Sequence, residues 1–207
     1  MRALWFTLAI VLVDQATKIL VKTTMIRGQS IPVIGDLFKW TFTENPGMAF
    51  GLTLGDGDLG KLVLTVFSVV ATVMIFLYLR HVRKAPWGYR LSLALILGGA
   101  LGNVIDRVFY GAIWGECFPT AGNSRLLYGC VVDFVHLDVW SGYVGDRYVA
   151  LFPIGNIADL AIIAGVVGVL LSQKSFQRYI EAQHATLAPG LPPEPIGPPS
   201  EEVPPAA

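Results

Sequence analysis

Long apolar runs alternate with short polar clusters along this chain, and four of those runs reach helical-span length. Leu62 to Leu79 is eighteen residues without a charge, bracketed by Lys61 and Arg80, which meets the length rule for a membrane-spanning helix. Tyr148 to Gln173 is longer and holds one charge, Asp159. Leu91 to Ile105 is uncharged and runs into Asp106 and Arg107, so it spans only if the helix continues past them. Ala3 to Val21 is interrupted by Asp14 and Lys18. These are four apart, hence on one helix face in the favourable acid-first order. The pattern predicts spans over about 3–21, 62–79, 91–107 and 150–171, with connecting loops 22–61 and 108–149 on one side.

Two segments between spans read as strands, the first by strict alternation and the second by composition. Leu37 to Thr43 places Phe38, Trp40 and Phe42 on one face, for packing against the membrane interface or the protein. Val131 to Trp140 is rich in β-formers and predicts a second strand carrying Asp133. Asn45-Pro46-Gly47 reads as a turn. Residues 1–173 therefore form one membrane domain, all-α apart from a small β-element. Residues 174–207 form a tail, Pro-rich and expected to be disordered from 189.

Composition agrees with the membrane reading. Of 207 residues, 54% are hydrophobic and 14% charged, with a mean hydropathy of +0.59; soluble domains carry about a quarter charged residues. Net charge is zero and no basic block stands out, which argues against a nucleic-acid partner. Arg80, Arg83, Lys84 and Arg90 crowd the second connection, Arg2 precedes the first span, and Lys174 and Arg178 follow the last. By the positive-inside rule both termini are cytoplasmic and the β-element is extracytoplasmic. No small-x-small cleavage site follows the first run, so it is expected to be retained rather than removed as a signal peptide. Cys117 and Cys130 share the second outer loop. An oxidising exterior permits a disulfide between them, worth roughly 3 kcal/mol in the chain-entropy model; two unpaired thiols are the alternative.

The chemistry centres on carboxylates. Ionised side chains are costly at membrane depth, which makes Asp159 and its apolar-flanked companion Asp133 functional candidates. Two converging carboxyls can share a proton, one serving as acid and the other as base. Asn156 lies three residues before Asp159, and Asn103 four before Arg107, so each pair can face a common interior. The competing possibility is that such polar groups only knit helices together. Asp14 and Lys18 fit a structural ion pair with a snorkelling lysine, and Asp106 a local packing role. Gly55-Asp56-Gly57-Asp58 matches the GxGD string of another intramembrane protease class, but a Gly-rich turn accounts for it. His81, His136 and His184 are scattered; no metal site and no cofactor is expected.

Taken together, five segments resemble the lipoprotein signal peptidases (signal peptidase II), bacterial aspartic endopeptidases of the cytoplasmic membrane. They are Asp14-Gln15-Ala16-Thr17-Lys18, Asn45-Pro46-Gly47-Met48-Ala49-Phe50-Gly51, Gly98 to Arg107, Val131-Val132-Asp133-Phe134, and Phe152 to Asp159, in the family's order. The resemblance covers about residues 3 to 172. It implies a four-helix bundle with a small extracytoplasmic β-element, and Asp133 and Asp159 as the catalytic pair. It also implies that Asn45, Asn103, Arg107 and Asn156 surround the site and that Asp14 supports it. The implied substrate is a diacylglyceryl-modified prolipoprotein, cut just before its lipidated Cys. Two departures stand out: a longer segment between Arg107 and Asp133, and Gly155 and Leu160 flanking the last motif.

A monomer in contact with membrane lipid is expected. The rival from another class is a small transporter or channel passing protons or cations along Asp14, Asp133 and Asp159. The lack of an evident inverted repeat argues against it.

Overall fold

The computed structural model describes residues 2–47, 58–115, 124–144 and 147–187. Helix α1 (Ala3–Thr24) leads into strands β1 (Ser30–Ile34) and β2 (Phe38–Asn45). Helices α2 (Asp58–His81) and α3 (Trp87–Ile105) follow. A π-helical turn (Asp106–Tyr110) and the short α4 (Gly111–Trp114) prolong α3. Strand β3 (Val131–Leu137), the hairpin β4 (Ser141–Val144) and β5 (Arg147–Ala150), and helix α5 (Ile157–Leu187) are the remaining described elements. Among the described residues, four helical stretches are long and apolar enough to cross a membrane: Ala3–Thr24, Leu59–His81, Trp87–Trp114 and Ile157–His184.

The helices run up and down. At one end Ala3 packs with Leu79, Val82, Ala85 and Tyr89, which brings the start of α1 beside the α2–α3 connection. At the other end Val21, Met25, Phe42, Tyr110, Val132 and Phe134 form a second apolar cluster. The antiparallel sheet, in the order β1-β2-β3, caps that second end. Lys22 of α1 pairs with Glu44 of β2, and Trp40 meets Phe134 edge-on at 5.7 Å, so the aromatic face of β2 packs on protein.

Helix α3 is the axis of the bundle because it is nearly bare along two faces. A Cβ placed on Gly98 would lie 2.9 Å from Ile10 Cβ, and one on Gly99 would lie 2.2 Å from Ala158 O. Small residues of this kind let membrane helices approach closely, where dispersion and short hydrogen bonds act. Thr7 Oγ1 donates to Ala94 O at 2.8 Å across the same seam.

Several boundaries differ from those the sequence suggests. The apolar block from Tyr148 begins as strand and loop, and its helix starts at Ile157 rather than near 150. Pro153 and Asn156 explain the delay, since Pro disfavours helix before it and Asn caps the first turn. Helix α5 then continues to Leu187, well beyond an apolar span. Pro32 interrupts the alternation of strand β1, so no local pattern marks it; at the sheet edge Pro is tolerated. Residues 188–207 and Gly55 to Gly57 of the GxGD string lie outside the described residues.

Candidate active site

Strand β3 and the first turn of α5 meet at the sheet end of the bundle, and each supplies one carboxylate. Gly155 makes the junction: its carbonyl accepts the N–H groups of Phe134 at 2.8 Å and Val135 at 2.7 Å, and its own N–H donates to Val135 O at 3.0 Å. The loop before α5 is thereby stitched to the strand carrying Asp133.

Asn156 caps α5 from outside the helix, where the sequence pattern suggests a position within it. Its Oδ1 accepts the Asp159 N–H at 3.0 Å, and its own N–H donates to Asp159 Oδ2 at 3.1 Å. That reciprocal pair is a capping box with an aspartate in the acidic position. The Asn156 amide also donates to Asp133 Oδ1 at 2.6 Å and, more weakly, to Val132 O at 3.3 Å and Asn103 Oδ1 at 3.2 Å. One side chain thus links the two aspartates.

Asp133 is 2% exposed and faces Thr43 across the β2–β3 ladder. Asn45, two residues along β2, lies on the same face and hydrogen-bonds Asp133. The Asn45 Oδ1 is occupied by the Gly47 N–H at 2.9 Å. Gly47 adopts φ +110°, and a Cβ there would lie 2.1 Å from Leu64 Cδ2 and 3.2 Å from Arg107 Nη1, so the turn admits only glycine. Burial, reinforced by the charge of Asp159, pushes the Asp133 carboxyl up to about 7; the Asn45 and Asn156 hydrogen bonds and the charge of Lys18 oppose the rise. Arg107 is within electrostatic reach of Asp133, Asp106 and Asp159.

Behind the aspartates lies a buried ionic cluster. Lys18 Nζ contacts Asp14 Oδ2 at 2.9 Å, Asp106 Oδ2 at 2.8 Å and Asn103 Oδ1 at 2.9 Å. The Lys18, Asp14 and Asp106 side chains are all 0% exposed. The ion pair is therefore the one suggested by the spacing, but Lys18 does not snorkel: two carboxylates and an amide hold it inside. Nor is Asp106 merely local, because its Oδ2 also accepts the Val132 N–H at 3.2 Å. Asp14 Oδ1 accepts the Ala158 N–H at 2.9 Å, which ties α1 to the turn bearing Asp159. Gln15 bridges Asp14, Gly102 O and Asp106 and accepts from Tyr110.

The π-helical turn explains how neighbours serve different partners. Within it Asp106 contacts Lys18 while Arg107 lies beside Gly47 and near the aspartates; such bulges often accompany functional sites. Asn103, one turn earlier, donates from Nδ2 to Asp159 Oδ1 at 2.9 Å. The structure thus gathers Asp14, Asn45, Asn103, Arg107, Asp133, Asn156 and Asp159 at one end. Lys18, Gln15, Asp106 and Tyr110 join them without having been singled out as site residues. A lysine and an aspartate at apolar depth were the available signal; their shared partner was not visible. Cys130, just before β3, is disulfide-bonded. Cys117, the only other cysteine in the sequence, lies outside the described residues.

A pocket of about 300 Å³ opens beside the pair. Asp133, Asp159, Asn45 and Asn156 line its polar wall, while Phe152, Leu160 and Ile163 lie on the apolar side. Leu160 and Ile163 are exposed on α5, so the pocket borders the surface this helix turns outward.

Fold and cluster define a multi-pass membrane enzyme. The sequence profile of the family described as Signal peptidase (SPase) II matches residues 6–175. A lipoprotein signal peptidase of Amoebophilus asiaticus is 37% identical, with 85% of this chain and 79% of that protein covered. One from Pseudomonas aeruginosa is 30% identical over 87% of this chain and 92% of the relative. Two solved structures described as bacterial membrane enzymes are similar, each with a TM-score of 0.59. One is 25% identical, covering 92% of this chain and 93% of the other; the second is 27% identical, covering 83% and 92%. The chain belongs to the signal peptidase II family, and it is a peptidase.

Proposed function

We infer that the protein removes signal peptides from diacylglyceryl-modified prolipoproteins, cutting just before the lipidated Cys, with Asp133 and Asp159 as the catalytic residues. The observation that carries this reading is the pocket shared by the two carboxyls, linked through Asn156 and open along an apolar helix face. The acyl chains remain in lipid beside Leu160 and Ile163 while the scissile peptide reaches the polar wall. The protein sits in the bacterial cytoplasmic membrane with the site on the extracytoplasmic side. Supporting that orientation, Arg80, Arg83, Lys84 and Arg90 lie about the connection at the opposite end. It works as a monomer, since one chain supplies both carboxyls.

In this reading Asp133, whose carboxyl is pushed up to about 7 by burial, holds the shared proton and Asp159 serves as the base. Asp159, the carboxylate, takes a proton from water as the oxygen attacks the scissile carbonyl carbon. Protonated Asp133 donates to the carbonyl oxygen and stabilises the charge developing there. As the tetrahedral intermediate collapses, one hydroxyl proton returns to Asp133 as the C=O re-forms, the C–N bond breaks, and the proton held by Asp159 passes to the leaving nitrogen, which restores both carboxyls. The products are a signal peptide with a free carboxyl end and a lipoprotein with a free amine on its lipidated Cys. Arg107, near both carboxyls, limits the repulsion between them when both approach ionisation.

The test is cleavage by purified protein in detergent of a prolipoprotein with and without its diacylglyceryl group. Cutting of the lipidated form alone, immediately before the Cys, is the expected result; indifference to the lipid would overturn the substrate assignment. No observation favours the transporter alternative.

A further inference from the structure

Lys18 has no part in the chemistry just described, yet it touches the group that touches Asp159. The Asn103 carboxamide lies between them. Its Oδ1 receives Lys18 Nζ at 2.9 Å and Asn156 Nδ2 at 3.2 Å, and its Nδ2 donates to Asp159 Oδ1 at 2.9 Å. A carboxamide has one acceptor oxygen and one donor nitrogen, related by a half-turn of its last torsion. If Asn103 turned over, its oxygen would face the Asp159 carboxylate and its N–H groups would face the ammonium. Both contacts would be repulsive.

The ammonium is itself fixed. Its three N–H bonds match three acceptors: Asp14 Oδ2, Asp106 Oδ2 and Asn103 Oδ1. Asp14 and Asp106 are anchored in turn by Gln15 and by the backbone N–H groups of Ala158 and Val132. The lysine therefore cannot follow Asn103 if the amide rotates.

We propose that Lys18 is a positioning residue for the carboxyl pair, acting through Asn103, whose donor end it holds against Asp159. The proposal rests on the catalytic assignment above. The role differs from packing: it sets which end of an amide faces the base, and so stabilises the base in its ionised form. The charged and titratable groups around the pair are Asp14 and Lys18 from α1, Asp106, Arg107 and Tyr110 from the π-helical turn, Asp133 from β3, and Asp159 from α5.

Lys18→Met keeps the length of the side chain and removes the ammonium. The expected result is a fall in kcat of about tenfold, with the acid limb of the kcat profile moving up by about one pH unit and KM little changed. The discriminating measurement is the same substitution in an Asn103→Leu background. There it should move the acid limb no further, because the link is already gone. An equal shift in both backgrounds would mean that Lys18 acts by its charge alone, which overturns the proposal. Unchanged pH limbs with reduced Tm would assign it a purely structural role, with the same effect. Should the unpaired acids prevent folding, Lys18→Met combined with Asp14→Asn and Asp106→Asn removes all three charges and tests the same link. Turnover surviving in Asp133→Asn or Asp159→Asn would instead sink the catalytic assignment, an outcome distinct from an additive Lys18–Asn103 cycle.

Discussion

Gly102 lies flat against the Asp14 carboxylate: a Cβ at that position would sit 2.5 Å from Oδ2 and 3.2 Å from Ala158 Cβ. Helices α1, α3 and α5 meet at this point, and both neighbours are held by hydrogen bonds rather than free to move. Gly102→Ala is therefore expected to destabilise the protein by about 1–3 kcal/mol, the range for overpacked sites. Thermal unfolding in detergent measures it; an unchanged Tm would contradict the close approach.

Asp133→Asn and Asp159→Asn preserve shape and remove the exchangeable proton. General acid–base groups contribute about 10²–10⁴-fold to rate, so each variant should lose at least two orders of magnitude in turnover while remaining folded. Retention of a tenth of wild-type activity by either purified variant would remove that residue from the chemistry.

The pH dependence follows from the roles. Under the proposed roles, activity requires Asp133 protonated and its partner ionised, so the rate is expected to fall on both sides of an optimum, and the two limbs belong to the pair. The alkaline limb is expected near 7, where Asp133 loses its proton. Stability responds to the same group. Its folded-state pKa is raised, so its contribution is fully present below the unfolded carboxylate range and is lost as pH rises through about 7. Asp133→Asn should then gain Tm relative to the parent as pH increases across that window. A Tm difference independent of pH would show that the carboxyl is not held protonated.

Gly155 tests the spacing of the site without touching a carboxyl. A Cβ there would lie 3.0 Å from Asp159 Oδ2, tight enough to push the carboxylate by tenths of an ångström. Small misplacements of a catalytic group are costly. Gly155→Ala should lower kcat by about tenfold with little change in Tm. A rate equal to wild type would mean that Asp159 has slack in its position.

The disulfide at Cys130 precedes β3 and bears no assigned chemistry. Cys117→Ser with Cys130→Ser should lower stability by roughly 3 kcal/mol yet leave turnover within a few-fold of the parent. Loss of activity in a variant that stays folded would implicate the segment between Arg107 and Asp133 in holding the site.

How far the sequence reaches can be judged from particular residues. The spans were legible because charge-free runs of that length seldom occur outside a bilayer, and Asp133 and Asp159 because carboxylates in such runs are expensive. The strand carrying Phe42 shows the period of two, and the one carrying Asp133 shows its β-forming composition. What remained hidden depends on long-range pairing. Nothing near Lys18 in the chain announces that it meets Asp106, which is distant in sequence and sits at the start of a π-helical turn that no local pattern signals. Pro32 concealed an edge strand, and the Asn156 cap moved the start of α5 beyond the apolar block that contains it.

The capping turn that joins Asn156 to Asp159 also has a consequence in time. Asp133 emerges on a strand that the ribosome delivers before the last helix, whereas its partner belongs to that helix. The anchor at Ala158 engages Asp14 on α1. Under the proposed assignment, a nascent chain holds half of the pair until α5 docks against α1 and α3. Assembly of the site then waits on the element that brings Asp159 to Asp133.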